Sequence, residues 1–568
     1  MFDDCYRTIF FNPGDDPQQF CASLQSFLDR GFWLCGYIAY EFGYYSEPAL
    51  VDLSCTLNKP LAWFVVTRQP RVLTAERVAQ RKENAAQGQA FSIRNMRANM
   101  SRLHYYRALG AIQRHLVRGD TYQVNYTMKL HFDFFGDPLG LYCALRYRQP
   151  TAYMAFMNTG KNCILSFSPE LFFKRTGRTI KMQPMKGTIA KGRDAREDRA
   201  LCEALSHDAK SRAENIMIVD LLRSDLGRIA TRVTVPQLFV TESHRTLHQM
   251  TSTITARLTP GATLGAIFKA LFPSGSVTGA PKIRTMQLIH ELEKEPRGVY
   301  TGALGYCAPD GHACFNVAIR TIDIHGRHGE LGVGSGIVYD SQPAAEYQET
   351  LLKARFLTDY NQRFSLIETI LWEKGYRLLG LHVARLAASC RYFVVPCDTR
   401  ALRKKLILFA HKLKAPSKVR LVVDLDGSQS LTAEACDETP PRPRIMLDRA
   451  RVSRRDMFLY HKTTNRQFYE KRLRRARARG FYEVIFRNAD GELTEGAFTN
   501  LFIKKNQRLY TPPVSCGLLP GVLRQRLIEA GRAREKILHI RDIRQADAVY
   551  IGNSVRGLFE VEISLADL

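Results

Sequence analysis

What the sequence lacks narrows its reading first. Its thirteen cysteines, from Cys5 to Cys516, include no C-x-x-C pair, and an odd number cannot all be bridged within one chain. They read as reduced, mostly buried thiols of a cytoplasmic protein. The opening stretch, Met1 to Asp16, carries Asp3, Asp4, Asp15 and Asp16 and no cationic segment running into an apolar one, so no secretory leader is expected. The most apolar early run, Gly31 to Tyr40, stops at Glu41, at about half the roughly 20 residues a membrane helix needs. No membrane span is expected.

Acidic residues are also scarce, 55 against 82 basic ones, leaving a net charge of +27. A field of that sign attracts nucleic acid, acidic surfaces or small dianions alike. The densest basic run, Lys471 to Arg479, lacks the interleaved aromatics that stack on bases and reads as a solvated helix face. No nucleic-acid partner is expected. The glycines of Gly332 to Gly336 lack the G-x-G-x-x-G spacing of a dinucleotide loop, and there is no internal repeat of fixed period.

What is present is the balance of a globular protein, 45% apolar and 24% charged, in 568 residues. That length predicts two large domains. Strand-like segments (Leu61 to Thr67, Cys163 to Phe167) alternate with helix-period segments (Tyr105 to Val117, Leu264 to Leu271), which predicts an α+β chain. A helix pattern from Ala344 to about Tyr360 is broken before a strand-like start at Phe364, placing the boundary near 360–364 and the domains at 1–361 and 362–568. The Pro-rich stretch Asp437 to Arg444 reads as an exposed loop dividing the second domain into two lobes.

Four segments of the first domain gather polar groups in apolar surroundings: Ser168 to Glu170, Pro184 to Thr188, Ala213 to Arg223 and Glu346 to Glu349. Glu214 opens a helix-like run, and Glu346 and Glu349 are spaced to share one helical face, so their oxygens can converge on a hard cation such as Mg2+. Pairing with Lys353 or Arg355 explains the same spacing. Lys186 lies in a turn after the strand-like Thr179 to Gln183; it is either a solvated charge or, if buried, a lysine depressed in pKa and able to act as a nucleophile.

The order of these segments, with Gly119 to Asn125, Phe272 to Lys282, Tyr300 to Gly302, Asn316 to Arg320 and Gly334 to Gly336, closely resembles the chorismate-utilising family that includes anthranilate, isochorismate and aminodeoxychorismate synthases. The resemblance spans roughly residues 30–360 and implies a fold of antiparallel sheets with helices. Anthranilate synthases look like P-I-A-G-T where this chain has Pro184-Met-Lys-Gly-Thr188, and the lysine is the mark of aminodeoxychorismate synthases. The resemblance implies that Lys186 attacks C2 of chorismate while the 4-hydroxyl departs, and that ammonia then attacks C4 and expels the lysine. It makes Glu170 the acid for that hydroxyl, His248 an active-site histidine, and Glu214, Glu346 and Glu349 the Mg2+ ligands. Gln123, Thr188, Thr278, Tyr300, Arg320, Gly334, Ser335, Gly336 and Lys353 become substrate-binding positions. Gln123 stands where isochorismate-forming members have a water-activating lysine. Ser211, Ser224 and Met185 depart from the usual pattern without removing one of these groups. No G-x-C-x-G turn presents a glutaminase-type thiol, so ammonia is expected from a separate glutamine amidotransferase subunit.

The second domain carries His461 to Arg466, Asp490 to Gly496, Thr499 to Phe502, Thr511 to Pro513, Leu518 to Gly521 and Gly552 to Arg556, which together resemble the two-lobed fold type IV pyridoxal-phosphate enzymes. The resemblance implies that Lys462 holds the cofactor and Glu495 pairs with its ring nitrogen. Arg385, the amides of Val522 and Leu523, and Asn553 or Ser554 then bind the phosphate. Leu523 departs from a common threonine. Members of this group are typically dimers, and they include aminotransferases and aminodeoxychorismate lyase. Fusion to a chorismate aminase points to the lyase, which releases pyruvate and p-aminobenzoate for folate biosynthesis. An anthranilate-type synthase joined to an aminotransferase is the alternative enzyme, and a basic nucleic-acid-binding protein is the non-enzyme alternative.

Overall fold

The structure, a computed structural model, describes residues 1–568 except 54–58, 75–76, 79–90, 147–148, 245–246, 359–363, 437 and 566–568, and the side chain at 195. The chain divides into two compact units: Met1–Ala190 with Cys202–Tyr360, and Lys191–Leu201 with Asn361–Leu568. The junction expected near 360–364 falls mostly on 359–363, outside the described residues. The short segment 191–201 clusters with the second unit, although it was expected in the first.

Among the described residues, the first unit contains a ten-stranded and a seven-stranded sheet in which every pairing is antiparallel. In the larger sheet, the long strand Leu247–Leu258 pairs with Thr179–Gln183 and then with Met185–Ala190, the two being separated by Pro184, which cannot donate to a ladder. In the smaller sheet, Gln123–Phe135 runs against His328–Ile337 in a ten-residue register that puts Gly336 opposite Asn125. Helix Ala209–Gly227 begins at Asp208, whose carboxylate caps the Ser211 amide, and buries Asn215, Ile218, Val219, Leu222 and Leu226, the spacing of one helical face. The four apolar ones join Phe172, Phe173, Phe268 and Phe315 in one core. Helix Pro343–Thr358 buries Glu346, Thr350, Ala354 and Leu357 on one face, so a carboxylate is carried inward with the apolar groups.

Tertiary packing kept most of the expected elements. Leu264–Leu271 is a helix, Thr179–Gln183 a strand, and the basic run lies in helix Gln467–Ala478. No described helix is long and apolar enough to cross a membrane.

The second unit has a three-stranded sheet (Leu366–Trp372, Ser417–Val423, Gln429–Ala435) and, after the Pro-rich stretch, an eight-stranded mixed sheet beginning at Arg444. Separate apolar clusters underlie the two. The helix Leu379–Tyr392 packs on the first strand.

Candidate active sites

In the first unit, a cleft of about 270 Å³ is lined by residues of both sheets and both carboxylate-bearing helices. Lys186 enters it from Met185–Ala190, where the register against Leu247–Leu258 shifts between Met185 and Thr188. Such an irregularity re-aims side chains, and here Met185 and Lys186 are both buried. Gly187 follows at φ +86, and a Cβ there would lie 2.8 Å from that of Ser211, so only glycine lets the strand approach the helix. Burial pushes the Lys186 ammonium below its ordinary pKa, opposed by Glu214 and Glu170 and reinforced by Lys353.

Glu170 is 2% exposed and accepts a hydrogen bond from the Ser276 hydroxyl. Burial pushes its carboxyl up to about 7, although Ser276 and Lys186 both pull it down. A carboxyl that keeps its proton up to about pH 7 and an amine lowered from its ordinary range therefore line one cleft, the pairing that proton donation and nucleophilic attack require.

At the cleft's anionic end, Glu346 Oε1 lies 3.3 Å and Glu214 Oε1 3.9 Å from Lys210 Nζ, while Glu349 pairs with Lys353 at 2.8 Å. Burial raises the Glu214 carboxyl, with Glu346 and Glu349 adding to the rise. Among the described residues no three carboxylates already converge as a metal set. Two ammonium groups, those of Lys210 and Lys353, neutralise the carboxylates in this conformation. The donors are nonetheless all hard oxygens lining one cleft, which is the chemistry Mg2+ takes.

At the cationic end, Arg320 is buried at φ +49, in the left-handed region disfavoured for side chains. Its Nη2 donates to Gln249 at 2.8 Å, and its Nη1 has no partner. Burial lowers the guanidinium to about 10. Both amide atoms of buried Gln123 are also unpartnered, and a Cβ placed on Gly336 would lie 2.7 Å from Gln123 Nε2 and 3.1 Å from Lys186 Nζ. Thr188, Tyr300, Gly334, Gly336 and Lys353 line the cleft as expected positions.

Three other positions are placed differently. His248 is buried on the Leu247–Leu258 strand with Nδ1 2.9 Å from the Ser243 hydroxyl, and strand alternation brings Gln249, not His248, to the cleft. Ser335 turns away between the lining glycines to meet the Tyr105 hydroxyl at 3.3 Å. Thr278 donates to Ser274 O at 3.0 Å.

In the second unit, Lys462 is half-buried, and its ammonium is lowered to about 7 by burial and by Arg466 and Arg385. Its carbonyl accepts from the Ile367 amide at 2.9 Å. Glu495, on strand Leu493–Gly496, is raised to about 7 by burial and is touched by the Tyr469 hydroxyl (3.4 Å) and Asn500 Nδ2 (3.2 Å). Helix Val522–Glu529 starts beside this strand, and its first amides, those of Val522 and Leu523, are the groups a helix leaves open at its N-terminus. A Cβ on Gly521 would lie 1.7 Å from Asn500 Oδ1, so glycine is what lets the helix start approach so closely. The Leu523 side chain packs with Phe502 and Leu527, leaving only its amide for a ligand.

Arg385, expected at the cofactor phosphate, grips Glu368 with its fork through Nε (2.8 Å) and Nη2 (2.6 Å), and its Nη1 donates to Pro520 O at 3.2 Å. Burial alone would raise Glu368, but Arg385 and His382 bring it down to about 2. Asn553 is also engaged, its Oδ1 accepting the amides of Val555 and Arg556 and its Nδ2 donating to Phe498 O at 3.2 Å, while Ser554 beside it is buried.

Residues 12–359, more than half of the chain, match the chorismate binding enzyme family. The chain belongs to the chorismate binding enzymes. Residues 365–563 match amino-transferase class IV, whose fold implies pyridoxal phosphate. This chorismate binding enzyme is 40% identical over 258 residues to aminodeoxychorismate synthase component 1 of Escherichia coli strain K12, covering 45% of this chain and 57% of that protein. It is 38% identical over 261 residues to anthranilate synthase component 1 of Streptomyces coelicolor, covering 45% and 51%. Anthranilate synthase component I from Streptococcus pneumoniae TIGR4 superposes with a TM-score of 0.53 at 27% identity, covering 62% of this chain and 90% of that one. The chain spans 35% and 57% of the length of the first two curated relatives it matches.

The residues that hold pyridoxal phosphate would be Lys462, Glu495 and the amides at the start of Val522–Glu529, and the glycine-only approach at Gly521 fits a cradle for that group. Ser276, Gln249, Lys210 and Glu368 were not singled out from sequence. Ser276 sits inside a recognised motif, and Glu368 is marked only in retrospect, by a strand carboxylate that faces the His382 imidazole and the Arg385 guanidinium, spaced i and i+3 on a helix.

Proposed function

We propose that this chorismate binding enzyme aminates chorismate to 4-amino-4-deoxychorismate and that its class IV unit then releases pyruvate to give p-aminobenzoate, a precursor of folate. The observation that carries the first step is the burial of Lys186 beside Glu170 in one cleft, with the amine lowered and the acid raised. The Lys186 nitrogen forms a bond to C2 as the C4–O bond breaks, and Glu170 supplies the proton with which the hydroxyl leaves as water. Ammonia then bonds to C4, and the C2–N bond breaks to return Lys186. Arg320 Nη1 and Lys353 are charged donors for the carboxylates of chorismate. Mg2+, bound by Glu214 and Glu349 with Glu346 beside them, would supply charge stabilisation at the ring carboxylate once Lys210 and Lys353 turn aside.

In the second unit, pyridoxal phosphate supplies an electron sink when bound. Lys462, with a pKa near 7, is suited to move the proton from ring C4 as pyruvate leaves and the ring becomes aromatic. We place the chain in the cytoplasm, drawing ammonia from a separate glutamine amidotransferase subunit and dimerising through the second unit.

Incubation with chorismate, Mg2+ and an ammonium salt, with and without pyridoxal phosphate, tests the reading. Aminodeoxychorismate is expected without the cofactor and p-aminobenzoate with it. Lys186→Ala should prevent amination but spare lysis of supplied aminodeoxychorismate, and Lys462→Ala should do the reverse. The anthranilate synthase relative keeps one alternative in view, and ortho-aminobenzoate as the product would overturn the proposal.

A further inference from the structure

Residues Lys191–Leu201 follow the Lys186 strand and precede the Glu214 helix in sequence, yet they belong to the second compact unit. Lys191 is almost completely buried, with Nζ 2.8 Å from Asp198 Oδ2. The other Asp198 oxygen accepts the Gly192 amide at 3.0 Å. A Cβ on Gly192 would lie 2.2 Å from the Asp198 nitrogen, so this clip closes only around glycine. A lysine and an aspartate taken out of water are costly unless tightly paired, which sets this clip apart from an ordinary surface connection.

The clip bears on one aromatic side chain. Tyr392 donates its hydroxyl to Gly192 O at 2.6 Å, and Lys191 Nζ lies 5.1 Å over the Tyr392 ring. The same ring meets His461, with centroids 4.3 Å apart, and Phe393 meets that imidazole at 4.8 Å. His461 Nδ1 is 2.9 Å from the Ser389 hydroxyl. His461 therefore sits in a pocket of Ser389, Tyr392 and Phe393, and the next residue is Lys462. Burial lowers the imidazole to about 4, with Asp198 and Lys191 acting on it in opposite directions, so it adds no charge beside Lys462 at neutral pH.

We infer that Lys191, Gly192 and Asp198 are positioning residues for Lys462, closing the aromatic pocket that seats His461 and so fixing the main chain from which Lys462 projects. The Ile367 amide on the Lys462 carbonyl is the second fixed point. This inference rests on Lys462 holding pyridoxal phosphate, and it assigns to the cofactor unit a stretch that sequence order places within the chorismate half.

The test uses the full chain. Pyridoxal phosphate is titrated into wild type, Lys191→Ala, Lys191→Arg, Tyr392→Phe and Lys191→Ala/Asp198→Asn. The readouts are affinity, the absorbance spectrum of the bound cofactor, and the residue labelled after borohydride reduction. Ammonium-dependent amination of chorismate is measured in parallel. The expected result is an affinity loss of about 3-fold or more with an altered spectrum in Lys191→Ala and Tyr392→Phe, recovery in Lys191→Arg, and amination unchanged throughout. The double variant leaves no unpaired buried carboxylate, so it reports on positioning even if Lys191→Ala folds poorly, and it should show the same loss. Unaltered cofactor affinity and spectrum in the double variant and in Tyr392→Phe would overturn the inference. Absence of a reducible linkage at Lys462 in wild type would instead remove the cofactor reading itself, and this inference with it.

Discussion

Replacing Glu170 by glutamine should inactivate the first unit while making it more stable at alkaline pH. Glu170 is fully buried and its pKa is raised from 4.5 to about 7. The folded chain thus binds this proton more tightly than the unfolded chain does. Its contribution is neutral below about pH 4.5, where both states are protonated, and becomes increasingly unfavourable as the pH rises from 4.5 toward 7. Above that window the penalty approaches roughly 3 kcal/mol, from about 1.4 kcal/mol for each pH unit of the window. Glutamine keeps the size and the acceptor for Ser276 but never ionises. Glu170→Gln should therefore match wild type near pH 5 and exceed it at pH 8 by a few degrees in Tm. Amination should fall by about 10²- to 10⁴-fold, the usual yield of a positioned acid, or roughly 3–5 kcal/mol of barrier. In wild type, amination should decline above about pH 7 as Glu170 loses its proton. The assay pairs product formation from chorismate and ammonium with thermal unfolding from pH 5 to 8. Amination within about 10-fold of wild type, or a Tm difference that does not widen with pH, would refute the argument.

Other perturbations have equally definite outcomes. Arg385→Ala leaves Glu368 buried with only the His382 imidazole against its carboxylate and should destabilise the second unit by about 3–5 kcal/mol at pH 7, seen as a lower urea midpoint. The wild-type pair, with Glu368 held near 2, should keep its stabilising effect above pH 4.5 and lose it as the pH falls from there toward 2. Gly521→Ala must displace Asn500, which orients Glu495, and should weaken pyridoxal phosphate binding by about 10-fold or more in a fluorescence titration, a structural clash well beyond a propensity effect. Chelation by EDTA should stop amination and Mg2+ should restore it. Glu349→Gln should raise the Mg2+ concentration required by at least about 10-fold, because one charged oxygen donor is lost.

Much of the molecule could be read along the chain because its signals are local. The strand Thr179–Gln183, the helix Leu264–Leu271 and the helix Pro343–Thr358 follow from spacing. Lys186, Glu170 and Lys462 stood out through the residues beside them. Side-chain direction was less legible, since it depends on pairing register. Period-two alternation carries Gln249 to the cleft and His248 away from it, and Ser335 away between two lining glycines.

The sequence by itself determined which chemical groups the protein has and in what order, because helix period, turn residues and motif spacing are properties of neighbours. Tertiary structure decided what those groups are at neutral pH and whom they serve. Burial lowers Lys186 and raises Glu170, two lysines hold the carboxylates expected to bind a metal, and Glu368 takes the guanidinium of Arg385. The segment 191–201 packs with the second unit despite its place in the chain. Each of these depends on desolvation or on contacts between residues far apart in sequence, and such effects exist only once the chain has closed on itself.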